Sequence, residues 1–273
     1  RWSNGSLPLS APGTVGGMDI LELERAAAAH WRGTEEEWLG DWLLRAAGGF
    51  TGRANSALPL GDPGLALDAA VDTVTRWYAG RGLTPMVAVP VPLNGSGGPA
   101  AALGSELDRR GWRTRDAPAY VMVADVPAAS SGAASPDLPA GLTLRVDATP
   151  DPAWLAAYHY RGQADPPPVL RLLLTSAADQ VFVSIRDGDA VAAIARVSLA
   201  AGWAGITAVE VSPARRRLGL GAALTREAFA QAARHGLDRV FLQVEVDNTA
   251  AIRLYERSGF RYSHCYHYRI APS

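Results

Sequence analysis

The chain has 273 residues, 48% hydrophobic and 19% charged, with a formal net charge of −1. Such a composition excludes a disordered chain, and the length suits two modules of ordinary size. The balanced charge argues against a nucleic-acid partner, because nucleic-acid binders carry a basic excess.

One cysteine, Cys265, makes neither an internal disulfide nor a zinc cluster by itself, so no metal site is expected. A reducing, cytoplasmic setting is expected, since no N-terminal stretch has the charged, apolar and small-residue order of a leader peptide. The start at Arg1 rather than Met is expected of a segment of a longer protein. Every basic residue is an arginine, which codon bias in a GC-rich genome explains.

Taken in order, residues 19–31 read as a helix and residues 50–60 as extended chain. A helix is expected over residues 62–80, with Asp62 as cap and Pro63 in its first turn. A strand (85–91), a helix (100–110) and a strand (119–126) complete the first half. Residues 128–140, AASSGAASPDLPA, form a solvated linker and the expected boundary between modules 1–127 and 141–273.

Beyond the linker, strands and helices alternate. A strand at 142–146 precedes a helix capped by Asp151, and a second short helix covers 169–174. Strands follow at 180–186, 190–199 and 205–211. Residues 190–211 are nearly apolar over a membrane-spanning length, but Arg196, Gly202 and Glu210 interrupt them. They read as two buried strands with a turn near Gly202, and no membrane partner is expected. A helix (218–235), a strand (239–246), a helix (249–258) and a strand (260–270) close the chain. ELDRRGWRTRDAPAYVMV (106–123) and RLYERSGFRYSHCYHYRI (253–270) both run helix, glycine, aromatic, strand, a weak internal repeat.

Two segments carry chemistry. In Val211-Ser212-Pro213-Ala214-Arg215-Arg216-Arg217-Leu218-Gly219-Leu220-Gly221-Ala222 a strand ends, a basic loop follows and a helix begins. Free N–H groups at a helix start bind anions. Gly219 and Gly221 let main chain approach a ligand, and Arg216 and Arg217 add charge for a phosphate. The pattern is neither the dinucleotide fingerprint nor a P-loop. In the second segment Asn248 opens a helix on which Ala251 and Tyr255 share its face, and Ser258-Gly259-Phe260 ends it.

Together these segments resemble the GNAT superfamily of acyl-CoA-dependent N-acyltransferases. The match is to its pyrophosphate-loop motif, Arg/Gln-x-x-Gly-x-Gly/Ala, and its later Asn-x-x-Ala-x-x-Leu-Tyr helix followed by Gly-Phe, and it covers residues 141–273. The resemblance implies an α/β (α+β) fold of two GNAT-like modules, each with a mixed, mostly antiparallel sheet flanked by helices. It implies that acetyl-CoA is the acyl donor. Its arm would pair with main chain of Val209 and Val211 between two splayed strands. N–H groups from Arg217 through Leu218, Gly219, Leu220 and Gly221 to Ala222 would cradle the pyrophosphate. Asn248 and Ala251 would border the arm, and Tyr255 would protonate the leaving thiolate.

The base is open. Glu210 is the first candidate, although strand alternation turns it away from Val209 and Val211 unless a bulge changes the phase. Glu245 is another, and His264 or His267 could face the acceptor. Some relatives carry their base where this chain has Gln243. Tyr158, His159 and Tyr160 fall where the family's early helices border the acceptor.

The first half departs from the pattern. Gly61-Asp62-Pro63-Gly64-Leu65 replaces the phosphate loop, so it resembles a degenerate GNAT module in a tandem arrangement of the actinobacterial, mycothiol-synthase-like type. There Trp38, Trp42, Arg53, Asn55 and Ser56 stand out. Arg53 and Asn55, two apart, would present donors to an acceptor's carboxylate or phosphate, or else hold the halves together. The resulting expectation is an N-acetyltransferase acting on a primary amine of a small molecule. The alternatives are a protein or peptide amine, or a non-catalytic acyl-CoA-binding module. A homodimer is left open.

Overall fold

The computed structural model describes residues 19–93, 99–130, 136–159 and 166–272. Asp19 caps α1 (Ile20–Ala28) by accepting the Leu21 N–H at 2.9 Å. A hairpin of β1 (Glu35–Leu39) and β2 (Trp42–Ala46), with the short β3 (Leu58–Pro59), makes a three-stranded sheet. The sequence reading missed this hairpin. Its Gly40-Asp41 tip is ordinary two-residue turn chemistry, with Gly40 at φ 54°.

The extended stretch expected over residues 50–60 shrinks to β3. The residues before it are turns, because the Asn55 side chain holds them in a loop. Its oxygen accepts the N–H groups of Ala47 (2.7 Å) and Gly49 (2.8 Å), and its nitrogen donates to the carbonyls of Phe50 (2.6 Å) and Thr51 (2.9 Å). The helix expected from Asp62 begins later, as α2 (Leu67–Ala79). Gly64 sits at φ 70°, outside any helix, and Asp62 accepts its N–H at 2.8 Å in a local turn. The first half continues with β4 (Met86–Pro92), α3 (Pro99–Arg109), β5 (Arg113–Thr114) and β6 (Ala119–Asp125).

The second half follows its expected order within a few residues. It runs β7 (Leu142–Asp147), α4 (Pro152–Ala157), α5 (Val169–Leu174), β8 (Asp179–Asp187), β9 (Ala190–Ala200) and β10 (Trp203–Val211). Then come α6 (Leu220–Arg234), β11 (Arg239–Glu245), α7 (Thr249–Arg257) and β12 (Arg261–Ile270). Asp151 caps α4, accepting the Trp154 N–H at 2.8 Å. The apolar run 190–211 is β9 and β10, joined through Ala201 (φ 48°) and Gly202 (φ 75°). No helix among the described residues is long and apolar enough to cross a membrane.

Both halves contribute to a nine-stranded sheet ordered β4-β12-β6-β11-β10-β9-β8-β7, with β5 added beside β12. The last long strand of each half lies between strands of the other. Thus β6 pairs antiparallel with β11 and β12, and β12 pairs antiparallel with β4 and β6. The two copies of the internal repeat, α3 to β6 and α7 to β12, therefore meet at the seam, where Tyr120 stands opposite Cys265. The largest apolar cluster spans the seam, joining Tyr120 and Met122 to Leu242, Tyr262 and Cys265.

Candidate active site

Parallel pairing of β10 with β11 runs only from Ala204↔Val240 to Ile206↔Leu242, although both strands continue. Two constraints part them. β11 stays paired to β6 as far as Glu245↔Ala119. β10 follows β9, and its register shifts between Thr207↔Arg196 and Glu210↔Ile194. Ala208, in this bulge, has φ 52°. A bulge bends its strand and re-aims side chains. The result is a cleft of about 1150 Å³ lined by Val209, Glu210 and Val211 on one wall and Gln243 and Glu245 on the other. The shift in phase answers the objection to Glu210, which lines the cleft together with its two neighbours.

At one end of the cleft, Pro213–Arg215 form a single 3-10 turn and the chain enters α6 through Arg217 (φ 62°) and Gly219 (φ 78°). No side chain caps α6, and its backbone ladder starts with Ala223 N–H to Gly219 carbonyl. The N–H groups of Leu220, Gly221 and Ala222 have no protein acceptor among the described residues, as a diphosphate site requires. Arg216, Arg217, Gly219, Leu220, Gly221 and Ala222 line the cleft, and the Leu218 side chain is exposed outside it. Arg215 is turned away, paired with Asp187. The two glycines differ. A Cβ on Gly219 would meet nothing, so its left-handed φ is what calls for glycine. A Cβ on Gly221 would lie 2.8 Å from Leu254 Cδ2, so this glycine lets α6 approach α7. That packing role adds to the ligand approach expected from the sequence.

Asn248 caps α7, its oxygen accepting the Ala251 N–H at 3.1 Å, and Asn248, Ala251 and Tyr255 all line the cleft. Tyr255 is 6% exposed, and burial pushes its phenol up to about 12, so it stays protonated at neutral pH. Opposite, Glu210 accepts the His159 N–H at 2.6 Å, and its other oxygen lies 3.3 Å from His159 Nδ1.

Of the residues singled out for the acceptor, Arg53, Tyr158 and His159 line the cleft. Arg53 donates to Gln243 Oε1 at 3.0 Å, with its guanidinium 4.8 Å over the Trp31 ring. Asn55 does not face the cleft. It is buried, and its four loop bonds use the whole capacity of its amide. Tyr160 lies outside the described residues. His264 is fully buried, 2.7 Å from Glu24 Oε1, and neither it nor His267 lines the cleft. Burial holds His267 near 4. Their strand neighbours Tyr266 and Tyr268 line it instead, as do Thr51, Arg115 and Thr207, which the sequence reading missed. Arg115 belongs to no motif, and only the fold brings it there.

Comparisons with known proteins show the family. The family model described as "Probable histone acetyltransferase Rv0428c C-terminal" matches residues 17–269. The probable histone acetyltransferase Rv0428c of Mycobacterium tuberculosis is 34% identical over 93% of this chain and 74% of its own length. A mycothiol acetyltransferase of Salinispora arenicola is 33% identical over 80% of this chain and 76% of its own. Among solved structures, a GCN5-related N-acetyltransferase from Kribbella flavida shares the fold at a TM-score of 0.65 and 20% identity, covering 94% of this chain and 97% of that one. The splayed strands, the uncapped helix start and these matches together make the chain a member of the Rv0428c C-terminal family of GNAT acetyltransferases, enzymes that use acetyl-CoA as cosubstrate.

Proposed function

We propose that this acetyltransferase acts on a primary amine by direct attack on the thioester. The amine nitrogen bonds to the acetyl carbon, a tetrahedral oxyanion forms, and the carbon–sulfur bond then breaks. Tyr255 gives its proton to the departing thiolate, and a phenol held neutral by burial suits that task. Glu210, with His159 beside it, receives the proton that the amine loses. Main chain of the parted β10 takes the pantetheine arm along Val209 and Val211. The start of α6 and Arg216 and Arg217 take the diphosphate. The observation that carries this reading is the parting of β10 and β11 after Ile206 and Leu242, with Tyr255 on the cleft it opens.

In this reading residues 141–273 hold acetyl-CoA. Residues 1–127 carry no Arg-x-x-Gly-x-Gly sequence, and they shape the acceptor side through Thr51, Arg53 and Arg115. The acceptor favoured by the family description and by the M. tuberculosis relative's name is an amine on a protein or peptide. A small-molecule amine is the second reading, and the S. arenicola relative's name supports it. Measuring CoA release with lysine peptides, peptide N-termini and free amines separates the two. Turnover confined to peptides supports the first reading, and turnover confined to free amines replaces it with the second. Acetyl-CoA binding without turnover on any amine would overturn both.

A further inference from the structure

The cleft carries guanidinium groups as well as the carboxylates of Glu210 and Glu245. Arg53 and Arg115 both line it. Their nearness is fixed by Gly52. A Cβ there would lie 3.1 Å from Arg115 Nη1 and 2.7 Å from the Tyr268 ring, so the loop carrying Arg53 presses directly against Arg115. A third guanidinium stands behind. Arg196 is 0% exposed, and its Cζ lies 5.5 Å from the centroid of the same Trp31 ring that Arg53 covers.

None of the three has a carboxylate partner among the described residues. Arg53 donates to Gln243, and among the described residues the Arg115 side chain reaches Met86 Sδ at 3.9 Å and the Tyr268 ring at 5.7 Å. Arg196 donates through Nε to the Leu174 carbonyl at 2.6 Å and through Nη1 to Thr207 Oγ1 at 3.3 Å, and its buried Nη2 has no acceptor among the described residues. Burial, and then the charge of Arg53, pull Arg196 down to about 9. Elsewhere in the chain, arginines such as Arg110, Arg186 and Arg269 are matched to carboxylates. Three unmatched guanidiniums repel one another, and an anion placed between Arg53 and Arg115 relieves that repulsion.

Acetyl-CoA does not account for this charge. Its phosphates are assigned to the start of α6, beyond Val211. Thr207, which Arg196 touches, lies four residues earlier on β10, on the order of 10 Å back along the strand. Gln243, which Arg53 touches, is the first β11 residue past the last parallel pair.

We propose that the acceptor is an amine carrying an oxyanion group, a carboxylate or phosphate, which Arg53 and Arg115 bind at the fork of β10 and β11. Arg196 acts as a positioning residue through Thr207. This rests on the acetyltransfer reading above and narrows its acceptor to an anionic amine, whether free or on an acidic peptide.

The test uses matched acceptors with the full chain. They are 4-aminobutyrate against 4-aminobutyramide, phosphoethanolamine against ethanolamine, and a lysine peptide flanked by aspartates against its asparagine counterpart. The anionic member of at least one pair is expected to show tenfold or higher kcat/KM, mostly through KM. Which pair discriminates identifies the source of the anion. Arg53→Gln and Arg115→Gln are each expected to erase most of that ratio while the affinity for acetyl-CoA, which also reports folding, stays within about twofold. Equal kcat/KM across all pairs overturns the proposal, and so does a ratio untouched by either substitution. If no acceptor turns over, calorimetric titration of the CoA-saturated protein with the same pairs decides. Tighter binding of an anionic member supports the proposal although the acetyltransfer reading has failed, and equal or absent binding overturns it.

Discussion

Tyr255 and Phe260 are joined twice: the Phe260 N–H donates to the Tyr255 carbonyl at 3.0 Å, and their rings meet edge to face with centroids 5.7 Å apart. The turn between them passes through Gly259 at φ 91°. These links hold the phenol in place at the cleft without using its hydroxyl.

Tyr255→Phe should therefore keep the fold and acetyl-CoA affinity while lowering kcat by about 100-fold or more, the usual range for a lost general acid. Calorimetric titration and steady-state rates check both halves. Because burial holds the phenol near 12, no loss of rate from its ionisation is expected up to about pH 10. An unchanged kcat in the variant removes Tyr255 from the mechanism.

Gly221 separates crowding from charge. In Gly221→Ala the new methyl meets the flexible end of Leu254, and acetyl-CoA affinity should fall only a few-fold. Gly221→Asp adds a negative charge where the diphosphate is assigned, and affinity should fall by about 100-fold, roughly 2.7 kcal/mol. Equal affinities for the two variants would place the diphosphate elsewhere.

Much of this site was legible because it is local. The loop from Arg216 to Ala222 and the helix from Asn248 to Tyr255 are short segments whose spacing fixes their geometry, and both line the cleft. What stayed hidden depends on partners distant in sequence. The bulge at Ala208 shows only in register against β9. Arg115 reaches the cleft because β5 and β6 join β12 and β11. Asn55 looked like a ligand donor beside Arg53, but the backbone of its own loop takes up its amide. The repeat in sequence was visible, whereas the exchange of strands it encodes was not.

That exchange predicts the behaviour of fragments. Residues 141–273 produced alone lack β4, β5 and β6, which leaves β11 with a bare edge and β12 with no strand partner. The fragment should be insoluble or aggregated, and co-production with residues 1–127 should restore a soluble complex that binds acetyl-CoA. A monomeric, acetyl-CoA-binding fragment on size exclusion would contradict this.

Acid should destabilise the protein before most carboxylates titrate. His30 is buried between Ser198 and the Ala200 carbonyl, and burial lowers it from 6.5 to about 4. The unfolded chain takes up this proton near 6.5 and the folded chain only near 4. The contribution is therefore complete above about pH 6.5 and is lost as pH falls towards 4, up to about 3 kcal/mol. Thermal unfolding at pH 7.5, 6 and 5 should show a falling Tm, and a flat Tm would exclude a buried neutral His30.

The seam at the middle of the sheet also sets a timetable for the nascent polypeptide. β4 and β6 leave the ribosome well before β12, the strand that must lie between them, has been translated. Until then the backbone edges of β4 and β6 that face β12 wait unpaired, and Tyr120 and Met122 wait for the second-half cluster they join. Long-range closure of this kind makes for slow folding and leaves the waiting edges prone to aggregation.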